Sequence, residues 1–215
     1  MTKITTVEQA MEKIRNESTI MIGGFVGCGT PDKLIDAMID KKLDNLTIIA
    51  NDTSFPEQGI GKLIAAKRVK KLIASYIGAN PETGRQMQAN ELEVELVPQG
   101  TLAERIRSGG AGLGGVLTPT GLGTVVAEGK EIIVVDGQNF LLEKPLKAEF
   151  ALIKAHKADE SGNLVFRRSA RNFNPVLATA ADIVVAEVQE IVPVGELDPD
   201  EVMLPGIFVD YIVKG

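Results

Sequence analysis

Apolar and polar positions along the chain follow two rhythms, and the rhythm changes near the middle. In the first half, short apolar runs at 19–23, 46–50, 69–75 and 92–97 read as strands. Between them, apolar residues recur at helical spacing in 31–41 (Leu34, Ile35, Met38, Ile39), in 58–66 and in 101–107 (Leu102, Ile106). Ahead of the first strand, Thr6-Val7-Glu8-Gln9 has the spacing of a capping box and predicts a helix running to about Arg15. This alternation predicts an α/β fold: a mainly parallel sheet flanked by helices, with ligands at the carboxyl ends of the strands.

In the second half 131–135, 139–142, 149–155, 163–166, 183–187 and 207–213 are strand-like, and only 175–181 reads as helix. Asp159-Glu160-Ser161-Gly162-Asn163 reads as a turn between two strands. No Pro/Ser-rich linker divides the chain, so residues 1–215 are expected to form one domain whose β-richer second half extends the same sheet.

Composition narrows the function. The chain has 215 residues, 44% of them apolar and 24% charged, which suits a globular protein with a well-buried core. A net charge of −6 argues against nucleic-acid binding. One cysteine fits a reducing, cytoplasmic compartment. No apolar run reaches the roughly 18 residues of a membrane span, and Met1-Thr2-Lys3 does not open like a signal peptide. With 4% aromatic residues and no Trp, stacking platforms for bases or sugars are disfavoured.

The richest segment for chemistry is Gly23-Gly24-Phe25-Val26-Gly27-Cys28-Gly29-Thr30-Pro31, where the first apolar run ends in a glycine loop. Thr30 is suited to an N-cap and Pro31 to the first helical position. Such a loop is expected to present backbone N–H groups and the positive end of a helix to an anion or a developing oxyanion. A dinucleotide fingerprint starts at Gly27-Cys28-Gly29 but fails at Asp32, where the third glycine belongs. A second glycine cluster, 109–115, has the fingerprint spacing without the strand–turn–helix context. It reads as a helix C-cap or as a substrate loop.

Asn51 and Gln99 each close an apolar run, on the edge that should carry the glycine loop. Neutral amides there suit a carboxylate, or each ties down its own loop. Glu91, Glu93 and Glu95 alternate on one face of a strand and are expected to be solvated. The basic runs 67–71 and 167–174 read as a solvated helix end and as an anion or interface segment. His156 is the only histidine, so a His-based metal cluster or a Ser–His–Asp triad lacks the parts elsewhere in the chain, and at a strand end it reads as structural rather than catalytic. Cys28 has no base near it in sequence and reads as a small filler. No nucleophile stands out.

The glycine segment resembles the signature of the alpha chain of family I coenzyme A transferases, the 3-oxoacid and acetate/butyrate–acetoacetate CoA-transferases. Ile49-Ala50-Asn51-Asp52, Asn80-Pro81-Glu82-Thr83-Gly84-Arg85, Val97-Pro98-Gln99-Gly100-Thr101-Leu102, Gly109-Gly110-Ala111-Gly112 and Ser169-Ala170-Arg171-Asn172-Phe173-Asn174-Pro175 continue the resemblance over nearly the whole chain. It implies an architecture like that of sugar-phosphate isomerases, and a ping-pong reaction in which a glutamate of a separate beta subunit carries CoA as a thioester. No residue of this chain is then the nucleophile. The resemblance places Gly24, Phe25, Val26, Gly27, Cys28, Gly29 and Thr30 against CoA, and Asn51 and Gln99 in the acyl-carboxylate pocket. It also implies an α2β2 assembly, CoA as substrate rather than cofactor, and no metal. Asn51-Asp52-Thr53 and the 78–85 run resemble the short-chain acetate/butyrate branch more than the succinyl-CoA branch. A non-catalytic ligand sensor of the same architecture is the alternative, though a DNA-binding segment is missing.

Overall fold

The computed structural model describes residues 3–215; Met1 and Thr2, on which the reading of the amino terminus rests, lie outside the described residues. Strand β1 (Thr19–Ile22) lies inside a sheet ordered β11-β10-β8-β1-β2-β3-β4, built from β2 (Leu46–Asp52), β3 (Val69–Tyr76), β4 (Glu93–Leu96), β8 (Ala148–Asp159), β10 (Ala181–Val192) and β11 (Tyr211–Lys214). Every pairing along that path is parallel, and the short β9 (Leu164–Val165) adds antiparallel to β8. Because β1 pairs with β2 on one side and β8 on the other, the strand order reverses at β1. The crevice at such a reversal is where open α/β sheets bind ligands.

The apolar runs are nearly continuous because both faces of this sheet are covered. Ile20 and Ile22 point to one face, where they pack with Leu34, Ile35 and Met38 of α2 (Asp32–Asp40) and Leu63 and Ile64 of α3 (Ile60–Ala65). Met21 points to the other, against Leu102 and Ile106 of α5 (Gln99–Gly110) and Leu177 of α6 (Asn174–Ala178).

Several expectations shift. Helix α1 (Val7–Met11) has both halves of the Thr6 capping box but ends well short of Arg15. Lys41 Nζ donates to the carbonyls of Met11 (2.6 Å) and Ile14 (2.8 Å), so a side chain rather than another helical turn satisfies them. Helix α4 (Pro81–Gln88) is absent from the pattern reading because its residues are mostly polar. Asn80 caps it and Pro81 occupies its first turn. Runs 131–135 and 139–142 leave the main sheet. As β6 (Ile132–Val135) and β7 (Gln138–Glu143) they join β5 (Val116–Thr118) in a separate antiparallel sheet ordered β5-β7-β6. In the 207–213 run only Tyr211–Lys214 is a strand, since Gly206–Phe208 is a tight turn.

Candidate active site

The glycine loop leaves β1 at the strand-order reversal. Phe25 and Cys28 exchange two backbone hydrogen bonds (3.0 and 2.9 Å) across Val26 and Gly27. Both central residues have positive φ, 46° and 82°, as in the mirror-image turns of hairpins. A β-branched residue in this region is strained. Val26 is held there because its N–H donates to Asp52 Oδ2 (2.8 Å). The same carboxylate accepts from Asn51 Nδ2 (2.7 Å) and from Ser54 N–H (2.7 Å). Among the described residues the N–H groups of Gly27 and Gly29 have no partner, so they remain available as donors.

The expected helix-end anion site is not open. Thr30 does not cap α2; it is 3% exposed, with its side chain packed over Gly24 and Gly59. The first-turn N–H groups of Lys33 and Leu34 instead donate to Glu187 Oε2 (2.9 and 3.3 Å). Glu187 Oε1 accepts from Lys154 Nζ at 2.9 Å, and the carboxylate is 1% exposed. The protein's own acid thus fills the positive end of α2, and an anionic ligand is left with the loop's free N–H groups. Glu187 and Lys154 are neighbours of the loop that the motifs do not single out, since each strand carries several other charged residues.

Asn51 and Gln99 come together. Gln99 Nε2 donates to Asn51 Oδ1 at 2.8 Å, and Ser75 Oγ at the end of β3 donates to the Asn51 backbone carbonyl (2.7 Å) and Oδ1 (3.1 Å). The two amides are therefore tied to each other across three strand ends, not each to its own loop. Asn51 is 2% exposed while Gln99 is exposed, keeping one N–H and its carbonyl oxygen free. Gln99 opens α5, which has no side-chain cap. A cleft of about 320 Å³ adjoins it, between Gly100, Thr101 and Ala103 and residues Val116–Thr118 of β5.

The 167–174 segment packs directly onto the loop. Asn172 Nδ2 donates to the Cys28 carbonyl (2.9 Å), and Asn174 Nδ2 donates to the carbonyls of Gly29 (3.0 Å) and Ala170 (2.9 Å). Asn174 Oδ1 accepts from Lys154 N–H at 3.0 Å, linking the loop to the Glu187 pair. Gly23 is fixed by this arrangement: a Cβ there would overlap the Asn174 carboxamide. We expect Gly23→Ala to displace Asn174 and to cost about 1–3 kcal/mol. The check is a lower urea midpoint at unchanged m, with Gly84→Ala, which meets open space, as control.

The remaining candidates do not meet Asn51 and Gln99, although His156 and Cys28 line a cleft of about 280 Å³ beside Gly29, with Arg167 and Arg168. His156 Nδ1 pairs with Gln189 Oε1 at 2.8 Å. Cys28 is exposed, with Sγ 3.5 Å from Ser169 Oγ. Glu91, Glu93 and Glu95 pair with Arg85, Lys71 and Arg105. Arg85 and Lys67 hold the Glu91 carboxyl down at about 2, so it carries no proton at neutral pH. Lys67 pairs with Glu91 at 2.8 Å, at the amino end of β3 and away from the loop. The second glycine cluster closes α5 through N–H bonds from Ala111, Gly112 and Leu113, as a helix end does. Among the described residues no group of three or more His, Cys, Asp or Glu could hold a metal ion.

Loop, amides and switch point lie together at the carboxyl edge of the sheet, the edge on which open α/β sheets bind ligands. Residues 4–215 match the coenzyme A transferase family, and the chain belongs to it. It is 55% identical over 212 residues to the alpha subunit of the acetate CoA-transferase of Escherichia coli, covering 99% of this chain and 96% of that one. It is 53% identical to the acetoacetyl-CoA:acetate/butyrate CoA transferase alpha subunit of Clostridium acetobutylicum (99% and 97% covered). The matching subunit of a Helicobacter pylori succinyl-CoA:3-ketoacid coenzyme A transferase is 49% identical (99% and 91% covered). An Escherichia coli acyl-CoA transferase shares the fold with a TM-score of 0.89 at 24% identity, over 100% of this chain and 47% of that one. Glutaconate coenzyme A-transferase of Acidaminococcus fermentans gives 0.86 at 19%, over 99% and 75%. Among the described residues no helix is long and apolar enough to cross a membrane.

Proposed function

We propose that this chain is the alpha subunit of a cytoplasmic CoA-transferase that moves CoA between acetoacetyl-CoA and acetate or butyrate. The nucleophilic glutamate belongs to a beta subunit, in an α2β2 assembly; CoA is a substrate, and no cofactor or metal is used. The observation that carries the reading is the state of the buried acids beside the loop. Asp52 is taken up by Val26, Asn51 and Ser54, and Glu187 by the start of α2 and Lys154. Neither has an oxygen poised to attack a thioester, whereas Gln99 and the loop N–H groups are donors with capacity to spare.

In the reaction, the partner's glutamate adds to the acyl-CoA carbonyl, CoA leaves, and CoA then returns to form the glutamyl thioester as the first acid departs. A second carboxylate reverses these steps and takes CoA away. Gln99 and Asn51 hold the acid's carboxylate without titrating, and residues 24–30 line the path of CoA. Donors fixed in a water-poor cleft favour charge developing on the thioester oxygen. The Asp52 side chain, buried at 4% exposure beside Asn51, disfavours a second carboxylate next to the pocket and so favours acids with one.

The test is CoA transfer from acetoacetyl-CoA by this chain alone and with a co-expressed beta subunit. We expect transfer only from the pair, and faster with acetate or butyrate than with succinate. Full activity from the chain alone overturns the division of labour; preference for succinate overturns the substrate assignment.

A further inference from the structure

Ser54, in the loop between β2 and α3, has a backbone φ of 52°, in the left-handed region that suits glycine. Its side chain is 3% exposed, and among the described residues its Oγ has no hydrogen-bond partner. Strain of this kind persists only where the surroundings impose it, and a buried hydroxyl left unbonded costs free energy as well. The backbone is accounted for: Ser54 N–H donates to Asp52 Oδ1 at 2.7 Å, and Gly61 lies directly against the neighbouring Phe55 carbonyl. The hydroxyl is not. Nothing in the chain uses it.

That hydroxyl faces the glycine loop. A Cβ added at Gly27 would lie 3.3 Å from Ser54 Oγ and 3.2 Å from Gln58 Oε1, so the missing side chain leaves a point within reach of two oxygens. Gln58 is exposed, and among the described residues its side chain makes no hydrogen bond, so its carboxamide is free to turn and admit a ligand. The nearby Asp52 side chain bonds to Val26 and Ser54 on either side of this point, which disfavours a second anion there. A neutral group that donates a hydrogen bond fits instead. The acid pocket is close by: Asn51 Nδ2 lies 2.7 Å from Asp52 Oδ2, which lies 2.8 Å from the N–H of Val26, the residue before Gly27. An acyl-CoA carries such a donor close to its reacting end, a secondary amide two methylenes from the thioester sulfur.

We propose that Ser54 and Gln58 form a subsite over Gly27 for the pantetheine amide nearest the sulfur, with Ser54 Oγ and Gln58 Oε1 accepting from its N–H. The inference rests on the CoA reading above and adds which part of the thioester this chain grips and which residues grip it. Holding the arm two methylenes from the sulfur fixes the thioester carbonyl against Gln99, so the contact acts through orientation as well as affinity. It also gives the buried hydroxyl its partner, supplied by the substrate rather than by the fold.

The experiment measures kcat/KM of the full chain reconstituted with its beta subunit, wild type against Ser54→Ala and Gln58→Ala. The donors are acetoacetyl-CoA, butyryl-CoA, the acetoacetyl thioester of N-acetylcysteamine, which keeps this amide, and the acetoacetyl S-propyl thioester, which lacks it. We expect Ser54→Ala to lower kcat/KM about tenfold with the three donors that have the amide and less than about twofold with the S-propyl thioester. Gln58→Ala should follow the same pattern with a smaller loss. The thermal midpoint of the isolated chain should hold or rise in Ser54→Ala, because no group of the chain loses a bond. Unchanged kcat/KM in Ser54→Ala overturns the subsite, and so does an equal loss with all four donors. A loss confined to the acetoacetyl donors also overturns it, since that assigns the hydroxyl to the acyl group. A wild-type pair that transfers no CoA overturns the functional reading and the subsite together, a result distinct from an active pair that ignores the amide.

Discussion

Glu187→Ala lowers the stability of the chain by about 3 kcal/mol, the low end of the range for removing one partner of a buried ion pair. The low end applies because Lys154 keeps 23% of its side chain exposed and can turn partly to water. Against a typical total of about 5–15 kcal/mol, that loss is large. The physical cause is threefold: Lys154 loses its counter-charge, the Lys33 and Leu34 N–H groups lose their acceptor, and a cavity opens under α2. Glu187→Gln retains an acceptor for those N–H groups and should lose less. Urea unfolding of the isolated chain checks both. Equal loss in the two variants would show that charge is irrelevant, and no loss in either would refute the clamp.

Gln99→Ala has the opposite profile, a large loss of activity with little loss of stability. Gln99 is exposed, and its side chain makes one hydrogen bond, to Asn51 Oδ1. We expect kcat/KM of the reconstituted pair to fall about 100-fold, the scale of losing one donor to a developing oxyanion. The thermal midpoint should hardly move. A rise in KM for the carboxylate with kcat unchanged would restrict Gln99 to binding the acid. Retention of wild-type kcat/KM would remove it from the site.

The sheet is legible in the sequence because buried parallel strands must be apolar on both faces, and runs such as Ile20–Ile22 and Ile48–Ala50 advertise this. Helix α4 is not, since its start lies in the Asn80-Pro81 cap and its body is mostly polar. The identity of the loop is legible, but its electrostatics are not. Thr30-Pro31 reads as a helix start offering its positive end to a ligand, and Glu187, distant in sequence, takes that position. The pairing of Asn51 with Gln99 is hidden for the same reason. Spacing shows that each follows an apolar run, while their direct contact depends on how the ends of β2 and β4 are set side by side, with Ser75 holding Asn51 in place. Long-range side-chain contacts decide these points, and a single sequence carries no record of them.

The position of β1 has a consequence for synthesis. Its second neighbour, β8, begins only at Ala148, and the asparagines that clamp the loop come later still, with Asn174 and Gly29 separated by 145 residues. While a ribosome is still making the middle of the chain, β1 is an edge strand. It exposes unpaired backbone groups and the apolar side of Met21. The ligand loop is therefore among the last parts to take shape, because closing it waits on contacts of high sequence separation. Nascent chains cut short of β8 should be sticky and shapeless at that edge.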